Sequence, residues 1–182
     1  MFSLFRRNQT HPTIGRLYGA IVAQARLPAF YTDFGVPDTI EGRFELLLLH
    51  TFLVCHRLKG TAGAAKSASQ ELFDAFLDDM DRTLREMGVG DLSVPKRMKK
   101  IGQAFYGRTA AYDSALETKN EELATALARN VLECSPTDPA ALRLAAYARA
   151  AASGLAATEV SVLLRGEVAF PNPATCETPD HA

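Results

Sequence analysis

The 182 residues carry 47% hydrophobic and 23% charged side chains, a balance that closes a core burying roughly 70% of the unfolded surface and excludes both a disordered chain and a multi-span membrane protein. Twenty Lys and Arg against 21 Asp and Glu leave a formal charge of -1, so any attraction to nucleic acid or acidic lipid must come from a local patch. Three cysteines, Cys55, Cys134 and Cys176, form no CxxC and cannot all pair with one another, which points to a reducing compartment, the cytoplasm.

Residues 1–10 read as an N-terminal tail. Arg6 and Arg7 follow a few apolar residues, but polar residues come where a signal peptide would have its hydrophobic stretch, so secretion is not expected. A first helix from Pro12 to Leu27 is marked by Ile14, Leu17, Tyr18, Ile21, Val22 and Ala25 at steps of three and four. Pro28 to Pro37 interrupts that period with two prolines, a glycine and three aromatics, the composition of an ordered loop. Asp38 and Glu41 have the spacing of a capping box, and a second helix follows to about Leu58, closed by Lys59 and Gly60. Its segment Leu46 to Cys55 is the most apolar in the chain but far short of the ~20 residues that span a bilayer. A helix apolar on nearly every face belongs at the centre of a fold.

Gly60 to Ala68 is small and polar, a hinge, before a third helix from Ser69 to Met87 with Gly88 as its C-terminal cap. Ser93 and Pro95 open a fourth helix whose stripe Val94, Met98, Ile101, Phe105, Tyr112 and Leu116 faces one way. Two more helices, Lys119 to Glu133 and Asp138 to Ala152, flank a CSPTDP turn, and the second is alanine-rich enough for close packing. A short helix from Ala156 to Arg165 precedes an extended tail. No segment alternates as a strand would. The fold expected is all-α: a single compact domain of six to seven helices over residues 11–165 with a central apolar helix, between tails at 1–10 and 166–182.

Four blocks are jointly specific: RLPAFY (26–31), DTIEGRFELLLLHTFL (38–53), LREMGVGDLSVPKRMKK (84–100) and AFYGRTAAYDSAL (104–116). Together they resemble the ubiquinol-cytochrome c chaperone family, assembly factors for cytochrome b of the respiratory bc1 complex. The resemblance spans about half the chain closely and most of Leu17 to Arg165 more loosely. It implies an all-helical, non-enzymatic protein that holds newly made cytochrome b near the membrane, in mitochondria beside the ribosomal exit and with a small partner subunit. No organelle-targeting extension of useful length is present, so a bacterial member is expected, and the partner subunit stays open. A ribosome- or RNA-associated helical adaptor is the alternative reading.

The residues themselves offer several constellations. Arg43, His50 and Arg57 recur every seven residues, which drifts only about 20° per step and makes one polar stripe on an apolar rod. The stripe either contacts a client or is satisfied internally, by Asp38 or by acids of the third helix. Internal satisfaction is favoured because buried charges need partners. Cys55, His56 and His50 do not share a face, and His11, His181, Cys134 and Cys176 lie in distant segments, so no metal and no cofactor is expected. Cys55 reads as a small buried hydrophobe.

Glu71 to Asp91 holds seven acids, and Pro95 to Arg108 holds five bases and no acid. Lys96, Arg97, Lys99 and Lys100 are either an ordinary solvated face or a surface for the phosphates of ribosomal RNA or anionic lipid. No nucleophile elbow, phosphate loop, HExxH or dinucleotide fingerprint occurs, so no catalytic residue is assigned. For the client surface we select Phe30, Tyr31 and Phe34 of the aromatic loop with Tyr106 and Arg108, because aromatics and arginine concentrate binding energy. The competing role for the phenylalanines is core packing. Phe2, Leu4, Phe5, Arg6 and Arg7, helped by Lys96, Lys99 and Lys100, are the candidates for peripheral contact with the inner face of the cytoplasmic membrane.

Overall fold

In the computed structural model, which describes residues 12–118 and 120–176, the chain forms α1 Pro12–Ala25, α2 Ala29–Thr32, α3 Ile40–Leu58, α4 Ala64–Glu86, α5 Val94–Leu116, α6 Asn120–Leu127, α7 Pro139–Ala157 and α8 Val160–Leu163. Six of these are longer than a single turn, and no strand forms among the described residues. Helix α6 runs on into a π-helical turn, Ala128–Leu132, and a 3-10 turn occupies Pro173–Thr175. No described helix is long and apolar enough to cross a membrane.

The architecture follows from α3, in which every residue from Glu45 to Val54 is buried. It is enclosed by α1, α4, α7 and the π turn, so Phe52 and every leucine of α3 except Leu47 are at most 1% exposed, each contributing about 1.5–3 kcal/mol. The central apolar helix is thus where its composition placed it. Around it, α6 packs on α7, and α4 bridges α1 and α5. Alanines 141, 145, 148 and 151 line the buried side of α7, where small side chains let neighbouring backbones approach.

Several helix ends differ from expectation for local reasons. The side chain that caps α3 is Thr39, whose hydroxyl accepts from Gly42 N–H at 3.1 Å, whereas Asp38 accepts from Arg43 Nε at 2.7 Å. Thr39 directly precedes the first helical residue in extended backbone, which lets its hydroxyl reach the free N–H groups, and Asp38 lies one residue too early. Residues 64–68, expected as hinge, are the start of α4, because Ala65 and Ala68 face the core and the chain reverses before them, at Gly60 and Gly63 with φ of 75° and 61°. Ser93 makes no side-chain cap bond, and Pro95 opens α5. The aromatic loop contains α2, a single turn that folds its rings inward.

Beyond Arg165 the described backbone has no regular structure apart from the 3-10 turn at Pro173–Thr175, and it lies on the core. Val168 and Phe170 pack against it, Pro173 is buried, and Pro171 O accepts from Gln24 Nε2 at 3.0 Å. The readings of residues 1–10, including Phe2, Leu4, Phe5, Arg6 and Arg7, and of residues 177–182 fall outside the described residues.

Candidate functional site: an apolar groove with a cationic rim

The residues selected for the client surface do not form one patch. Phe30 and Phe34 are 0% and 1% exposed, which corrects their assignment to a binding surface. Their rings pack tilted against each other, centroids 5.5 Å apart, and both meet Tyr147 edge-on, so they fill the space between α2 and α7. Tyr31 is half-buried, its hydroxyl donating to Ala25 O at 3.0 Å and its ring lying 6.0 Å from the Arg43 guanidinium. Tyr106 is 63% exposed and packs on Phe73 of α4.

Arg108 is not a free contact residue. It makes a two-pronged ion pair with Glu45, Nε to Oε2 at 2.6 Å and Nη2 to Oε1 at 2.5 Å. This fork fixes α5 to α3. Burial pushes the Glu45 carboxyl above its ordinary pKa, and the Arg108 hydrogen bond and charge pull the other way without cancelling it.

The Arg43, His50 and Arg57 stripe is satisfied internally. Arg43 holds Asp38. His50 Nδ1–H donates to Leu46 O at 2.7 Å while Nε2 accepts from the Tyr147 hydroxyl at 2.8 Å, and Gln24 Nε2 in turn donates to that hydroxyl at 3.0 Å. Arg57 donates to the carbonyls of Leu155 and Thr158, both at 2.8 Å. Helix C-terminal carbonyls at the end of α7 thus take the role that the sequence offered to acids of the third helix. His56 and Lys59 both engage Asp113 of α5. Burial alone would raise the Asp113 pKa, but these two hydrogen bonds outweigh it and hold the carboxyl below its usual range.

Cys55 is half-buried beside Ser69 O, and burial pushes its thiol up to about 11. Among the described residues no cluster of three or more His, Cys, Asp or Glu could hold a metal.

What the structure assembles instead is a groove of about 670 Å³. It opens where the C-terminal end of α1, the first turns of α3, the end of α4 and the start of α5 come together. Val22 and Ala25 of α1 form one wall, Phe44 and Leu47 of α3 and Met80, Leu84 and Met87 of α4 supply most of the apolar surface, and Ile101 of α5 completes it. Arg26, Arg43, Arg97 and Lys100 stand in the lining, so half of the predicted basic surface belongs to this groove. Lys96, Arg97, Lys99 and Lys100 are all exposed, and none pairs with an acid among the described residues. Three of the seven acids between Glu71 and Asp91 are in ion pairs: Arg85 pairs with Asp81 and Asp91, and Asp79 holds Arg82 and the Tyr18 hydroxyl. Sequence reading missed the groove because its lining comes from four helices. The available signal was Ile40 and Met87, large apolar residues at helix ends that emerge 58% and 48% exposed.

Comparison with known proteins gives three concordant results. A family described as ubiquinol-cytochrome C chaperone matches residues 32–170. Ubiquinol-cytochrome-c reductase complex assembly factor 1 of Xenopus laevis is 26% identical over 129 residues, 71% of this chain and 64% of that protein. Its counterpart in Homo sapiens is 27% identical over 129 residues, 71% of this chain and 43% of that protein. The chain therefore spans less than two thirds of the length of these curated relatives. Among solved structures, the crystal structure of the Cbp3 homolog from Brucella abortus matches with a TM-score of 0.84 and 41% identity, over 91% of this chain and 92% of that one.

Proposed function

This chain belongs to the ubiquinol-cytochrome c chaperone family, and from that premise we propose that it is a non-enzymatic assembly chaperone that binds newly made cytochrome b and supports biogenesis of the bc1 complex. The observation that carries the reading is the agreement of sequence and fold with the Brucella abortus Cbp3 homolog over nearly the whole of both chains. The curated relatives are named for assembly of the ubiquinol-cytochrome-c reductase complex, and transfer of that role to this chain supplies the process. Fold alone would not. Client contact falls to the exposed Tyr106 and the half-buried Tyr31, together with the groove. The exposed cations Lys96, Lys99 and Lys100 serve contact with an anionic membrane or the ribosome, attractions that weaken with salt.

Affinity capture of the full chain from growing cells, paired with deletion of its gene, tests this. Cytochrome b among the recovered proteins and loss of bc1 activity on deletion are expected. Normal bc1 activity and normal cytochrome b levels after deletion would overturn the reading, and recovery of ribosomal proteins or RNA alone would favour the adaptor alternative.

A further inference from the structure

We infer that the groove between α1, α3, α4 and α5 is a docking site for an amphipathic helical segment of a partner protein, one whose apolar stripe is flanked on both sides by carboxylates. This deepens the chaperone reading and rests on it for the statement that the occupant is the client.

Three observations carry the assignment. The volume of about 670 Å³ lies within the ~300–1,000 Å³ typical of formed ligand sites. Its surface is apolar where a bound stripe would lie, and Met80 and Met87 add thioethers that adapt their shape to a guest. Ile40 and Met87 at its mouth are exposed with no fold-level reason to be.

The charge of the lining then selects the guest. Arg43 is tied to Asp38, and Asp79 to Arg82 and Tyr18. Arg26, Arg97 and Lys100 have no acid partner among the described residues, and Glu41 is the one carboxylate of the lining outside an ion pair there. Three unpaired cations beside an apolar floor attract carboxylates more strongly than they would in open water. Arg26 directly follows α1, whereas Arg97 and Lys100 belong to α5, so the cations sit on different walls. A helix with acids on both flanks of its stripe engages both walls while its apolar face covers the floor between them. Helix-in-groove recognition, with anchors at i, i+3, i+4 and i+7, is the mode that fits.

The test titrates the full chain with a fluorescent synthetic amphipathic peptide carrying Leu on one stripe and Glu on both flanks, and with its counterpart bearing Lys in place of every Glu. The Glu peptide should bind about tenfold tighter or more at low salt, and its affinity should fall as salt rises. Thr83→Trp, which places an indole in the groove, should weaken that binding about tenfold, and Arg97→Glu with Lys100→Glu should reverse the preference between peptides. Circular dichroism checks each variant, and should Thr83→Trp fail to fold, the charge reversal on exposed positions decides. Equal binding of the two peptides, a preference unmoved by charge reversal, or binding to phosphatidylglycerol vesicles without binding to the Glu peptide would overturn the inference. Cytochrome b captured as well by folded Thr83→Trp as by wild type would overturn the groove and leave the chaperone reading intact. Glu-peptide binding by a wild-type chain that recovers no cytochrome b would do the reverse.

Discussion

His50 is a base with no access to water, its two ring nitrogens used by Leu46 O and the Tyr147 hydroxyl. That arrangement suits the neutral ring, and burial lowers its pKa from 6.5 to about 4, against a smaller opposing contribution from the Leu46 bond. The unfolded chain keeps the ordinary value, so as pH falls it takes up the proton first and stability declines from 6.5 down to about 4, by on the order of 3 kcal/mol in all. Urea unfolding across this window should show the wild type losing stability more steeply than His50→Gln, and equal slopes would assign the effect elsewhere. Gly42 presents a second residue-level constraint, because a Cβ there would lie 2.0 Å from Pro37 O. Gly42→Ala should therefore cost about 2 kcal/mol in thermal unfolding. Gly102, in α5 with nothing near its Cβ position, should accept alanine with a gain of about 0.5–1 kcal/mol. A harmless Gly42→Ala would show that the loop yields.

At the scale of elements, the Glu45 and Arg108 fork decides how α5 sits on α3. Arg108 keeps 26% of its side chain exposed while Glu45 keeps 8%, so the variant Arg108→Ala leaves a nearly buried carboxylate alone. The expected loss is on the order of 2–3 kcal/mol, somewhat below that of a fully buried pair. Replacing both partners by apolar residues, Glu45→Leu with Arg108→Met, should recover much of it in chemical denaturation, and no recovery would mean that the pair contributes more than mutual neutralisation. Tyr31→Ala should reduce client capture at little cost to stability, since its main polar tie is a single bond to Ala25 O. Element types and their order were legible because apolar spacing and helix-end residues are local signals. The exact caps were less so: Asp38 and Thr39 are both good capping types, and only the backbone path before α3 decides between them.

For the whole molecule, the segment after α8 closes the fold over α1 and the His50 network through Phe170, whose ring lies 5.2 Å from His50, and through Pro171 O. Truncation after Arg165 should lower thermal stability by on the order of 2 kcal/mol relative to truncation after Cys176, and equal midpoints would show that the segment merely rests there. The all-helical class, the central position of α3 and the family blocks could be read from the sequence alone, since each depends on residue type and spacing along one stretch of chain. Tertiary structure alone decided which aromatics point inward, that Arg108 belongs to Glu45 across 63 residues and His50 to Tyr147 across 97, and that four helix ends meet in a groove. The physical reason is that periodicity reports which face of a helix is buried, whereas the partner that meets that face is set by packing between segments far apart in sequence.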